Sequence, residues 1–123
     1  MTYGPHLALD LKKCNKDKLG NLDFIFNLLD TLPAKIGMTK ITQPYVFMYH
    51  GAVPDDWGIT GFVVIAESHI SIHTYPNKDY LFFDIFSCKP FDIMKTKELI
   101  KDAFEAKGYT EYKWERGNDF PRR

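Results

Sequence analysis

Hydrophobic and polar positions alternate along several stretches of the chain. Between His6 and Leu11, Leu7, Leu9 and Leu11 fall on one side and His6, Ala8 and Asp10 on the other, which predicts a strand with one buried face. After a polar stretch, Cys14–Gly20, the spacing of Leu22, Ile25, Phe26, Leu29 and Leu32 predicts a helix over 21–32, capped by Asn21 and stopped by Pro33. Lys40–Tyr49 reads as a second strand, followed by a turn-rich loop, His50–Trp57. The most apolar stretch, Gly61–Ala66, is short and rich in β-branched residues and reads as a central strand. Ile70–Tyr75 alternates again, and Tyr80–Ser87 follows the Pro76-Asn77 turn as another β-rich run. Ile93, Leu99, Ile100, Ala103 and Phe104 predict a helix within 91–107, with Asp92 as cap and Gly108 as stop. A last strand, Tyr109–Glu115, leads into a polar tail ending Pro121-Arg122-Arg123.

This order predicts a single α+β domain over residues 1–123, a two-layer sandwich of a mainly antiparallel sheet with two helices on one face. Two helices leave the other sheet face uncovered, and a second copy of the chain is the expected cover. The chain is therefore expected to be homodimeric. Its 123 residues allow one core that buries about two-thirds of the unfolded surface.

Sixteen basic and sixteen acidic side chains cancel, so no overall field draws the chain to nucleic acid or an anionic membrane. No apolar run reaches the ~20 residues of a membrane span, and MTYGPHLALDLKK lacks the layout of a signal peptide. With two cysteines, Cys14 and Cys88, far apart in sequence, free thiols in a reducing cytoplasm are expected. The expected partner is a small molecule or another copy of the chain.

The candidate chemistry is concentrated between Gly58 and Cys88. Glu67, Ser68, His69, Ser71, His73 and Cys88 supply an acid, nucleophiles, bases and a thiol among apolar strands. Polar groups buried there without partners cost about 1–3 kcal/mol each, so they need partners or a purpose. On a strand, His69, Ser71 and His73 share a face and Ile70 and Ile72 the other, so Ser68 has the wrong parity to join His73. For the two to act together, the backbone must turn or bulge near Glu67-Ser68.

Gly58-Ile-Thr-Gly61, Ala66-Glu-Ser-His-Ile-Ser-Ile-His-Thr74 and Asp84-Ile-Phe-Ser-Cys88 resemble the signature of the prokaryotic S-adenosylmethionine decarboxylase proenzymes. Gly4-Pro-His-Leu7 and Glu115-Arg-Gly117 extend the likeness over nearly the whole chain. The resemblance implies self-cleavage at Glu67-Ser68 into a β chain, 1–67, and an α chain, 68–123, whose first residue becomes a pyruvoyl group. Ser68 matches the attacking serine, His73 the histidine associated with proton removal during elimination, and Cys88 the acid that returns a proton to the substrate. Thr60 matches a hydroxyl residue that assists processing. Glu67 is also expected to contact substrate.

The implied activity is decarboxylation of S-adenosylmethionine to the aminopropyl donor for spermidine synthesis. A pyruvoyl carbonyl does there the work that pyridoxal phosphate does elsewhere. Two departures stand out: Lys89-Pro90 follows Cys88 where the family commonly has glycine, and the loop 50–57 does not align with the family's adenine-stacking stretch. Phe47, Tyr49 and Trp57 are all candidates for that stacking.

Ser71 is the competing nucleophile. His69, His73 and Cys88 have zinc-binding atoms, but not the spacing of a compact zinc motif, and no metal is expected. Asp55 and Asp56 suggest a basic substrate such as arginine or ornithine. A non-cleaving ligand-binding or partner module is a third function.

Overall fold

The computed structural model describes residues 2–121, so the final Arg122 and Arg123 of the tail lie outside it. Six strands form one sheet: β1 (Gly4–Lys12), β2 (Tyr45–Tyr49), β3 (Gly58–Ile65), β4 (Ser68–Tyr75), β5 (Tyr80–Phe86) and β6 (Gly108–Arg116). Their order across the sheet is β2-β3-β4-β5-β1-β6. Every pairing is antiparallel.

The helices are α1 (Lys16–Leu19), α2 (Leu22–Lys35) and α3 (Ile93–Phe104). The expected two helices are thus joined by a single turn, α1, inside the stretch read as polar loop. Asn15 caps it by accepting from the Lys18 N–H at 3.1 Å, and Leu19 is its one buried residue. A four-residue turn with one apolar anchor carries too little periodicity to be read from sequence.

The predicted caps hold: Asn21 accepts from the Phe24 N–H at 3.0 Å and Asp92 from the Lys95 N–H at 3.0 Å. The predicted stops do not. Pro33 lies inside α2, buried in its last turn, and the chain stays helical to Lys35. A proline there removes only one late hydrogen bond, and the burial of Leu32 and Pro33 holds the turn. α3 ends at Glu105, in the left-handed region at φ 54°, whereas Gly108 opens β6. The predicted strand Lys40–Tyr49 is shortened to Tyr45–Tyr49. Pro44 interrupts the run, and Lys40 makes only an isolated bridge to Ile65.

The apolar side of the alternation faces the helices. Leu7, Leu9 and Leu11 of β1, Val63 and Ile65 of β3, and Ile70 and Ile72 of β4 are fully buried against Ile25, Leu29, Ile100 and Phe104. α2 approaches β3 so closely that a Cβ at Gly61 would stand 2.8 Å from Leu29 Cδ1.

The opposite face has no layer over it among the described residues. The register sets Phe62 beside Tyr45 and Ser71, and Thr60 beside Phe47 and His73. Tyr45, Phe47, Phe62, Phe82 and Trp114 remain 39–64% exposed there. This open face is aromatic, and it carries Thr60, Ser71 and His73.

Candidate active site

β3 and β4 join in a tight hairpin whose turn residues are Ala66 and Glu67, and Ser68 pairs with Ile65 as the first residue of β4. The Ala66–Glu67 peptide is cis. The turn is held from outside: the Ala66 N–H donates to the Thr39 carbonyl at 2.9 Å and the Ile41 N–H to the Val64 carbonyl at 2.9 Å. Glu67 is exposed and Ser68 half-buried. The Ser68 hydroxyl donates to the carbonyl oxygen of Glu67, so nucleophile and target carbonyl are already in contact.

Cys88 reaches the same turn from the end of β5. The Glu67 N–H donates to its Sγ at 3.4 Å. Glu67, Ser68 and Cys88 therefore assemble at one end of the sheet although 21 residues separate Glu67 from Cys88.

His73 and Thr60 assemble elsewhere. They pair across the β3–β4 ladder, with Thr60 Oγ1 3.2 Å from His73 Nδ1, and His73 is exposed on the open face. His73 is five residues along β4 from Ser68, a rise of about 17 Å, and on the other face. The chain turns at Ala66-Glu67, but Ser68 is already the first residue of β4 and keeps the parity opposite to His73. That turn separates the strands of the hairpin without carrying Ser68 to the His73 face.

Tyr49 belongs to the Thr60–His73 end, where these three residues line a cavity of about 250 Å³ with Val53, Gly58 and Tyr75. Trp57 is placed differently: it closes on Gly20 and lines a cleft with Asn21, Pro76 and Asn77 beyond the start of β3. Neither aromatic reaches Ser68 of its own protomer. Asp56 pairs with Lys78, tying together the turns at either side of the β3–β4 hairpin's far end.

Two groups of residues escape a reading from sequence. The first is a cleft of about 340 Å³ lined by Tyr3, Phe86, Arg116, Gly117 and Phe120. Arg116 stacks over Phe86 at 4.2 Å, and the Tyr3 and Phe120 rings meet edge-on at 4.7 Å. The cleft adjoins Cys88, because Tyr3 precedes Gly4, whose backbone touches Ser87 and Cys88.

The second is a polar array beneath it. An arginine only donates, so Arg116 donates to Nδ1 of His6 at 3.2 Å, which leaves Nε2–H to face Asp84 at 3.4 Å. Ser71 donates to the other Asp84 oxygen at 2.6 Å, so the competing nucleophile is engaged as a hydrogen-bond donor. Burial, offset in part by Asp84, pulls the His6 pKa below its ordinary value. His6 and Arg116 lie near opposite ends of the chain, and a register pairing β1 with both β5 and β6 is what gives them a shared site.

A protein-family model described as S-adenosylmethionine decarboxylase matches residues 5–117. The chain belongs to this family. The S-adenosylmethionine decarboxylase proenzyme of Clostridium botulinum (strain Langeland) is 38% identical over 100 residues, covering 80% of this chain and 81% of that one. The proenzyme of the same name from Thermotoga petrophila is 34% identical over 117 residues, covering 94% and 85%. The crystal structure of the adenosylmethionine decarboxylase from Aquifex aeolicus VF5 superposes with a TM-score of 0.79 at 26% identity, over 99% of this chain and 98% of that chain. The resemblance read from the central motifs and the α+β class both stand. Arginine or ornithine as substrate draws no support from these relatives.

Proposed function

We propose that this chain is a self-cleaving decarboxylase of S-adenosylmethionine that makes its own pyruvoyl group from Ser68. The observation that carries the reading is the Ser68 hydroxyl seated on the Glu67 carbonyl, with the Cys88 thiol on the same turn, in a chain of this family. The residues present fit the group, since the serine that would become it is aligned with the bond that must break.

In processing, Ser68 Oγ bonds to the Glu67 carbonyl carbon and the Glu67–Ser68 C–N bond breaks, turning amide into ester. A base then removes the Ser68 Cα proton while Glu67 departs as a carboxylate. Water hydrolyses what remains at residue 68, and ammonia leaves. The products are chains 1–67 and 68–123. The pyruvoyl group supplies a carbonyl that condenses with the substrate amine and accepts the electron pair released with carbon dioxide. Cys88 then returns a proton to the substrate α-carbon.

The base is His73, held by Thr60, and it comes from a second copy of the chain. Ser68 and His73 are about 17 Å apart within one protomer, whereas aligned sheets pack face to face at about 10 Å. A two-fold axis between the sheets, crossing the strands near Ser71, lays the Thr60–His73 end of one protomer over the Ser68–Cys88 end of its partner. The exposed aromatic side chains of the open face are the surface such a homodimer buries. Tyr49 travels with the His73 end into the composite site. The cleft of Tyr3, Phe86, Arg116 and Phe120, next to Cys88, seats the adenosyl ring by stacking. Among the described residues no helix is long and apolar enough to cross a membrane. Both cysteines are free thiols, which suits a reducing cytoplasm.

The test is release of labelled carbon dioxide from carboxyl-labelled S-adenosylmethionine, with arginine and ornithine as controls. Release from S-adenosylmethionine alone supports the reading. Release from a basic amino acid instead, or from none of the three by fully cleaved protein, refutes it. Sedimentation of a stable monomer at micromolar concentration contradicts the dimeric site.

A further inference from the structure

Cys88 sits at the end of β5 on a loop that hydrogen bonds fix from three sides. Ser87, 2% exposed, donates its backbone N–H to the Pro5 carbonyl at 3.0 Å. Its hydroxyl donates to the Lys89 carbonyl at 2.7 Å and accepts the Lys89 N–H at 3.1 Å, closing a ring around Cys88. The Lys89 ammonium then reaches the Gly37 carbonyl, just past α2, at 3.1 Å. Gly4 lets β1 come close beneath, since a Cβ there would lie 1.8 Å from the Ser87 carbonyl oxygen.

We infer that Ser87 and Lys89 are positioning residues that hold the Cys88 thiol against the Glu67 N–H, on the turn beside Ser68, and so fix where its proton is delivered. The inference rests on the acid role given to Cys88 above. A one-residue loop with a free apex would let Sγ wander by an ångström or more, and a misplacement of that size costs about 10²-fold in rate. The Ser87 ring removes that freedom from the Cys88 backbone. The Lys89 hook ties the loop to the helix layer.

The test has one arm without catalysis. In uncleaved Ser68→Ala protein, Cys88 is the accessible thiol, because Cys14 is buried with its pKa pushed up to about 12. Adding Ser87→Ala or Lys89→Met should raise the rate of Cys88 alkylation by iodoacetamide roughly threefold or more, as access increases. Adding Lys89→Arg should restore the slow rate. In the cleavable chain, Lys89→Met should lower kcat about tenfold with little change in KM, and Lys89→Arg should recover it. Lys89 is exposed, so its variants keep the test available if Ser87→Ala does not fold. Unchanged alkylation in Lys89→Met overturns the inference. So does faster alkylation with unchanged kcat. Should the chain fail to cleave at all, the proposed function fails, while the alkylation series still decides whether the loop is held.

Discussion

Ser68 and His73 lie on one strand, five residues apart and on opposite faces of the sheet. Thr60 meets Nδ1 of His73 at 3.2 Å, while Cys88 meets the Glu67 N–H at 3.4 Å on the turn beside Ser68. The chain thus holds Thr60 and His73 about 17 Å along β4 from Ser68, a gap that the proposed dimer would close.

Mixing variants tests this division. Ser68→Ala homodimers and His73→Ala homodimers should each remain uncleaved. Co-refolded in equal amounts, they should yield heterodimers in which the His73→Ala chain is cleaved, because its partner supplies the histidine. A denaturing gel reads the result. No cleavage in the mixture would place the base within the protomer.

Cys88→Ala separates making the group from using it. The variant should still cleave, since the thiol is not the attacking atom, yet turnover should fall by about 10²–10⁴-fold, the usual contribution of a positioned acid. Cleavage is followed on a gel and turnover by carbon dioxide release. An unchanged turnover rate would give the proton donation to another group.

Much of the site was legible before the structure because its residues sit in one short segment with fixed alternation. The resemblance singled out Ser68, His73 and Cys88 within that segment, and alternation alone set Ser68 and His73 on opposite faces, as the β4 register does. Distance along the sheet was not legible. Placing Tyr49 and Trp57 near the substrate of their own protomer needed the register of β2 on β3, in which Tyr49 pairs with Gly58 at the end remote from Ser68. The cleft at Tyr3 and Arg116 was missed for the same reason: β1 lies between β5 and β6, an order that local periodicity does not encode. The helix stops failed where burial overrode local preference, as at Pro33.

His6 makes stability depend on pH. Burial holds its pKa below the ordinary value, so the unfolded chain takes up the proton first as pH falls. The contribution is fully present above the unfolded value, about 6.5, and is lost as pH falls through the lowered folded value. Urea midpoints of Ser68→Ala protein, at one fixed concentration, should therefore drop between pH 7.5 and pH 5.5. Adding His6→Gln should flatten that slope. Equal slopes would mean that His6 titrates alike in both states.

Gly4→Ala should destabilise the fold by about 1–3 kcal/mol or more, as overpacking does, because the new Cβ meets the Ser87 backbone rather than a movable side chain. Gly61→Ala should cost less, since Leu29 Cδ1, at the end of a flexible side chain, is the nearest obstacle. Urea unfolding of the two variants in the uncleaved background gives the comparison, and a Gly4→Ala protein of unaltered stability would contradict the close approach of β1 to Cys88.

The central claim is that the bond between Glu67 and Ser68 breaks itself and leaves a modified residue 68. Denaturing mass spectrometry of freshly purified protein measures this directly. Two chains are expected, one ending at Glu67 and one beginning at residue 68. The second should resist Edman degradation and should be lighter than an unmodified Ser68–Arg123 chain by the mass of one ammonia, because the net change from serine to pyruvoyl is the loss of NH3. The Ser68→Ala variant should give one intact chain. A single full-length chain from the unaltered protein after long incubation, or a 68–123 chain with an ordinary serine at its start, would contradict the account.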